Sequence, residues 1–182
     1  MARNTVIRSL HDVGLAVWFG GTLANAVALN TAASQPESAQ ERGKVTNVGW
    51  DRWTPVNAAA IGAHLIGATG LLVANRNRVA SQQGVGIMTV VKTVVTGAAL
   101  GVTAYSRFLG RKVSARTDVP VVSATEPDQN TPQDVAAAQQ QLQVLQWAVP
   151  ALTGALVVLS SLAGEQQRPS EVGRGLRRRI TS

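Results

Sequence analysis

Two histidines and one lysine lie within apolar stretches of the sequence, where an ionisable side chain is costly. His11 opens the stretch HDVGLAVWFGG, His64 lies in NAAAIGAHLIGATGLLVAN, and Lys92 lies in VVKTVVTG. Inserting a lysine near the centre of a bilayer costs about 2.5 to 3.5 kcal/mol, and such residues usually mark functional sites. Imidazole binds metals and transfers protons near neutral pH. The three residues are therefore candidate ligands or members of a polar seam.

Helical periodicity extends this seam to two asparagines. Asn25 falls on the same face of its stretch as His11, and Asn57 falls on the face of His64. His64 and Lys92 lie at depths that differ by about 5 Å, so they can meet across a helix interface, with His11 nearer the headgroups. A purely structural alternative stays open: Lys92 extends its stem to the interface, His64 bonds a neighbouring hydroxyl or carbonyl, and His11 sits in water.

Four stretches that are almost free of charge must position these residues. They cover residues 10–33, 55–75, 85–108 and 142–164, and about 20 apolar residues suffice for a helix to cross a hydrocarbon core. A soluble four-helix bundle would need a polar face on each helix, which these stretches do not offer. The sequence therefore predicts an all-α, integral membrane four-helix bundle that forms a single domain.

The connections predict how the bundle lies in the membrane. Residues 34–54 and 110–130 are expected to be two extracytoplasmic loops, the second of them irregular. Thr131 and Pro132 fit the N-cap and first position of an extended fourth helix. Lys and Arg slightly favour the side of the termini, mainly through the basic tail at 165–182. This distribution predicts cytoplasmic termini. Arginine also outnumbers lysine 14 to 3 in an Ala/Val-rich chain, which is typical of high-GC bacterial coding, so a bacterial plasma membrane is expected.

Small residues recur at helical spacing and predict close packing between the helices. Membrane helices associate through such small residues because lipid is as apolar as leucine. The glycines expected to pack helix against helix are Gly14, Gly20, Gly21, Gly67, Gly97 and Gly101.

Several chemistries find no support in the residues. The chain has no cysteine, no pair of carboxylates within an apolar stretch, no phosphate-binding glycine loop and no HExxH motif. Two histidines without cysteine or nearby carboxylates do not predict a metal site, although two neutral imidazoles are permissible axial ligands for haem. The net charge of +7 is explained by cytoplasmic basic residues of a membrane protein, so nucleic acid is not an expected partner.

The first apolar stretch resembles the opening helix of two bacterial families of small four-helix membrane proteins. His11 followed after six residues by Trp18-Phe19-Gly20-Gly21 is similar to the start of CopD-like copper-resistance domains and of HemJ-type protoporphyrinogen oxidases. The resemblance implies copper handling in the first family and haem or porphyrinogen chemistry in the second. In the second family the corresponding roles would fall on His11 and Lys92.

The function favoured by the whole sequence is a non-catalytic accessory or assembly subunit of a larger bacterial membrane complex, such as a transporter or a respiratory assembly. Its partners would be the lipid bilayer and other membrane subunits, without a cofactor. Two alternatives remain. One is a haem-, porphyrin- or copper-related membrane protein that uses His11 and Lys92, and the other is a stand-alone lipid or solute handling protein.

Overall fold

The structure is a computed structural model that describes residues 4–116 and 121–165. Of the predicted basic tail, residues 166–182 lie outside the described residues. The described chain is almost entirely helical, and four helices are long and apolar enough to cross a membrane. They are α1 (Thr5–Ala33), α2 (Ala39–Ser81), α3 (Gln83–Ser114) and α4 (Gln133–Glu165).

Each predicted span lies within one of these helices, so the all-helical architecture is confirmed. α1 is α-helical over Thr5–Ala24, π-helical over Asn25–Leu29, and α-helical again over Asn30–Ala33. A π turn inserts one extra residue into a helix and rotates the face that follows it. Beyond the turn, the Asn30 side chain donates from Nδ2 to Gln146 Oε1 on α4 at 2.7 Å.

The expected loop at residues 34–54 is wrong for most of its length, because α2 begins at Ala39. Ser38 caps the helix by accepting a hydrogen bond from the Glu41 backbone N–H at 3.1 Å. Pro55 then lies inside a helix of 43 residues. At 1.5 Å per residue the helix is about 65 Å long, roughly twice the hydrocarbon thickness, so one end projects beyond it.

The connection between α2 and α3 is a single residue, Gln82. Gln82 alone is extended, with φ of −116° and ψ of 107°. Its backbone N–H donates to the Arg78 carbonyl at 2.8 Å, and its own carbonyl accepts from Gly86 N–H at 3.0 Å. Both helix ends are thereby satisfied around one residue, and α2 and α3 are neighbours at this end of the bundle.

The segment expected to be irregular contains a small antiparallel hairpin. α3 continues to Ser114, and strands Val121–Ser123 and Glu126–Pro127 pair before α4 begins at Gln133, just after Pro132. The amide Nε2 of Gln139, a fully buried residue of α4, donates to the Ser123 carbonyl at 3.1 Å. This bond fixes the hairpin on α4.

Replacing Gln139 with alanine is expected to lower the stability of the protein by about 1–3 kcal/mol, because the buried Ser123 carbonyl loses its donor. Gln140→Ala is the matched control, since Gln140 is the next residue of the same helix and is exposed. Thermal unfolding in detergent should show a lower midpoint for Gln139→Ala alone. Equal midpoints for the two variants would show that the hairpin is not held by this bond.

The helices pack as two pairs, with α1 along α2 and α3 along α4, and α1 also contacts α4. Trp18, Ala99 and Val149 form the buried centre where the pairs meet. Partly buried apolar side chains surround this centre: Ile61, Leu100, Val102 and Leu152. The apolar centre separates two cavities that lie towards opposite ends of the bundle.

Candidate functional site

Two glycines bring α1 and α2 into close contact. A Cβ atom on Gly14 would lie 2.5 Å from both the Ala60 carbonyl oxygen and the His64 backbone nitrogen. A Cβ atom on Gly67 would meet the backbone nitrogen and Cα of His11. The two backbones can approach this closely only because both positions are glycine, and the approach brings the two histidines together.

His11 and His64 form a buried pair of imidazoles. Their ring centroids are 4.5 Å apart with planes tilted by 44°, and the Trp18 ring lies 6.1 Å from that of His64. His11 is 3% exposed and His64 is 1% exposed. The alternative in which His11 sits in water is therefore wrong, since the approach at Gly67 places it against α2.

Both rings are held by hydrogen bonds from Nδ1. His11 Nδ1 lies 2.7 Å from the Asp12 carboxylate, and His64 Nδ1 donates to the His11 backbone carbonyl at 3.2 Å. A neutral imidazole that donates from Nδ1 keeps a lone pair on Nε2. Histidines that bind metals are held in this way, with the second nitrogen bonded to a carboxylate or a backbone carbonyl.

The histidine pair lines a cavity of about 810 Å³, which we call the histidine cavity. It lies at the end of the bundle where α1 begins and α2 ends. Its charged and soft lining groups, beside the two imidazoles, are Arg8, Asp12, Arg78, Met88 and Lys92. Three cations against one carboxylate make the lining net positive, and the volume falls within the range of about 300–1,000 Å³ typical of small-molecule sites.

Lys92 faces this cavity from α3 without a fixed partner. Its side chain is half-buried, and it makes no hydrogen bond or ion pair to any residue that the structure describes. Arg78 likewise has a buried Nη2 without a hydrogen bond among the described residues. Both cations are thus available to a negatively charged group in the cavity.

The remaining predicted residues lie elsewhere. Asn57 lines the cavity at the opposite end, and Asn25 is half-buried in the π turn with its Nδ2 unpartnered among the described residues. Gly21 accommodates the Trp53 ring. By contrast, within residues 4–116 and 121–165 no atom beyond the glycine's own helix backbone lies within 4 Å of a Cβ built on the other three glycines expected to pack: Gly20, Gly97 and Gly101. Gly97 borders the histidine cavity.

The arrangement limits how a metal can bind. Within residues 4–116 and 121–165 no group of three His, Cys, Asp or Glu side chains can hold a metal ion. A metal between two opposite imidazoles lies about 2.0 Å from each nitrogen, which puts the ring centroids about 6 Å apart. The observed 4.5 Å is too short for this arrangement, so the two histidines do not fit as opposite axial ligands of haem. The distance is compatible with a single histidine as the ligand of haem and the second imidazole packed behind it.

The chain matches no protein-family model, no curated protein and no solved structure. The likeness to CopD-like and HemJ-type proteins therefore rests on the eleven residues at 11–21 and on Lys92. The function of the protein is therefore inferred from the geometry of the histidine cavity.

Two further residues belong to the site and are not among the candidates from the sequence. The carboxylate of Asp12 holds His11, and the adjacency of the two residues was the available signal. Arg78 lies beyond the predicted span at 55–75, but α2 continues as far as Ser81 and carries it to the cavity. The alternating cations of the stretch NRNR gave no sign of which one turns inwards.

Proposed function

We propose that the protein is a membrane-embedded binding protein for haem or a related porphyrin, held in the histidine cavity. The observation that carries the proposal is the buried imidazole pair: hydrogen bonds from Nδ1 leave a lone pair on each Nε2, and both histidines line a cavity of about 810 Å³. Such preparation of a histidine is typical of a metal ligand.

His11 is the residue assigned to the ligand. The carboxylate of Asp12 accepts from its Nδ1 at 2.7 Å, and a carboxylate partner raises the basicity of the opposite nitrogen. His64 acts behind it, because its Nδ1 donates to the backbone carbonyl of His11. His64 is thus a positioning residue that fixes the helix turn from which His11 projects.

The charge and the walls of the cavity fit the rest of a porphyrin. Porphyrins of the haem type carry two carboxylates on an apolar ring. Lys92 and Arg78 offer cationic partners, and charge-assisted hydrogen bonds contribute about 1.5–3 kcal/mol each. Leu15, Leu72 and Val157 are among the aliphatic residues that line the walls. When bound, haem iron would supply redox or ligand-binding chemistry, and His11 would be the residue that holds it.

Substituting His11 tests the assignment. Ferric haem added to the purified full chain in detergent should give a saturable shift of the Soret band, and His11→Gln should abolish it or weaken binding at least tenfold. His64→Gln should weaken binding less, because it removes only the bond that positions His11. Lys112→Ala is the control, since Lys112 lies towards the other end of α3, outside the histidine cavity. Equal binding by wild type and His11→Gln would contradict the proposal.

The role of accessory subunit stays a prediction and is the second candidate. The apolar window of α3 is only 6% buried, against 28% for that of α1, and Gly101 faces open space. Since the other helices bury so little of α3, most of its apolar surface is free to contact lipid or another subunit. Extraction from native membranes in mild detergent tests this role: a larger complex of fixed composition supports it, and a free 19 kDa chain opposes it.

The location belongs to the same proposal. Four apolar helices are compatible with a multi-pass membrane protein. The distribution of Lys and Arg along the sequence supports a bacterial plasma membrane with cytoplasmic termini. In that orientation the histidine cavity lies towards the cytoplasmic side.

A further inference from the structure

A second cavity lies at the opposite end of the bundle and has a different chemistry. Its volume is about 330 Å³, and we call it the tryptophan cavity because Trp50 and Trp53 of α2 line it. The apolar centre of the bundle closes its inner end, with Ile61, Leu100 and Val149 forming the floor. Since Leu100 also lines the histidine cavity, this centre is all that separates the two.

Several residues that line the tryptophan cavity carry a buried polar atom without a partner among the described residues. Five lining residues each have one buried atom that makes no hydrogen bond among the described residues. These atoms are Asn30 Oδ1, Trp53 Nε1, Asn57 Oδ1, Thr103 Oγ1 and Arg107 Nε. Asn30 is itself only 8% exposed. A buried polar group left unpaired costs about 1–3 kcal/mol of stability. Five such groups around one small cavity therefore indicate that a bound molecule forms hydrogen bonds with them.

The donor or acceptor character of these atoms indicates which chemical groups a bound molecule must have. Trp53 Nε1 and Arg107 Nε are donors and require acceptor oxygens. The carbonyl oxygens of Asn30 and Asn57 are acceptors and require hydroxyl or amine donors. Among the described residues, Arg107 is the one charged residue in the lining, and its partner Asp51 is 3.5 Å away and largely exposed. The matching molecule therefore has a negative charge and hydroxyl groups.

The two ends of the cavity differ in polarity along α3. Leu100 on the floor and Arg107 are two turns apart, about 10 Å along the helix axis. Arg107 thus lies away from the aliphatic floor, which Ile61, Leu100 and Val149 form. An anionic head group fits the polar part of the cavity, and an apolar end, where the occupant has one, fits the floor.

We propose that the tryptophan cavity binds a hydroxyl-bearing phosphate ester. The phosphate accepts from Arg107 and from the indole N–H of Trp53, and the hydroxyls donate to the asparagine carbonyls. Gly21 of α1 keeps the indole in place, because a Cβ there would run into the Trp53 ring. The ester comes either from a lipid headgroup such as that of phosphatidylglycerol, or from a soluble molecule such as glycerol phosphate.

Calorimetric titration of the purified full chain in a non-ionic detergent tests this site. Dihexanoyl phosphatidylglycerol should bind saturably, and dihexanoyl phosphatidylcholine, which lacks the hydroxyls and the net charge, should bind at least tenfold more weakly. Glycerol phosphate serves as the second arm. If it binds as tightly as the lipid, the occupant is a soluble ester, and if it binds more weakly, the occupant is a lipid.

Three variants tie the binding to the cavity. Arg107→Gln should weaken the binding of phosphatidylglycerol at least tenfold, and Trp53→Phe, which keeps a ring but loses the N–H, should weaken it severalfold. Arg111→Gln is the matched control, because Arg111 lies one turn further along α3, is exposed and does not line the cavity. The proposal is overturned if neither phosphate ester binds saturably, or if Arg107→Gln and Trp53→Phe bind as tightly as Arg111→Gln. Should Arg107→Gln fail to fold, Trp53→Phe alone decides.

Discussion

Gly67→Leu is expected to disrupt the contact between α1 and α2 and to lower the midpoint of thermal unfolding by about 2–12 °C. A Cβ at this position meets the backbone nitrogen and Cα of His11, and a backbone cannot move aside as a flexible side chain can. Overpacking costs about 1–3 kcal/mol, and each kcal/mol shifts the midpoint by about 2–4 °C in a chain of this size. Circular dichroism in detergent measures the change.

Gly20→Leu is the matched control for this prediction. Gly20 lies on α1 and is exposed, and no other part of the described chain comes within 4 Å of a Cβ built on it. Leucine also favours helix over glycine by nearly 1 kcal/mol, so Gly20→Leu should unfold at the same temperature as wild type or higher. If both variants unfold at the same temperature, the close approach at Gly67 does not hold α1 on α2.

Lys92→Glu is expected to weaken the binding of haem by one to two orders of magnitude. The substitution removes a cation that faces the histidine cavity and places a carboxylate opposite the carboxylates of the porphyrin. Loss of a charge-assisted hydrogen bond costs about 1.5–3 kcal/mol, and each 1.4 kcal/mol is a factor of ten in affinity. Titration followed by the Soret band measures the change in affinity.

Lys112→Glu is the control of equal charge change on the same helix. Lys112 is largely exposed and lies 3.9 Å from Asp134 on the far side of the bundle from the histidines. A loss of haem affinity in Lys92→Glu alone assigns the effect to the cavity. The same loss in both variants would show that it reflects the net charge of the protein, and the assigned role of Lys92 would be wrong.

The four helices were predictable because a segment that crosses a bilayer must be apolar over about 20 residues, and four such stretches are visible in the sequence. The extents of the helices were harder to obtain. Residues 39–54 were expected to be loop, yet Ser38 and Glu41 have the spacing of a helix cap, and that signal was available. Many of the residues that follow Glu41 are polar or aromatic. Such residues are typical both of a loop at the membrane interface and of a helix that projects from the membrane, so the cap signal alone did not distinguish the two.

The histidine pair was only partly predictable. Periodicity placed His11 and His64 on inward faces, but depth was estimated from the ends of the apolar stretches. α1 begins at Thr5, before the predicted start of its span. The register between α1 and α2 is set by Gly14 and Gly67, and a sequence with many glycines does not reveal which of them lie at a contact. Gly20 and Gly101 have the same spacing pattern and face open space.

The tryptophan cavity could not be found from sequence. Its polar residues come from all four helices, and the π turn at Asn25–Leu29 changes which face of α1 carries Asn30. A regular helix would carry that residue elsewhere. Local insertions of this kind leave no recognisable pattern in the amino-acid sequence, because a π turn needs no particular residue type.

The most direct test of the central claim is an absorption spectrum of the wild-type chain, purified in detergent and titrated with ferric haem. We expect one haem to bind per chain, with the spectrum of an iron held by a single histidine, because imidazoles 4.5 Å apart are too close to hold one iron from opposite sides. A titration without saturation, or a saturated spectrum with two histidine ligands, would contradict it.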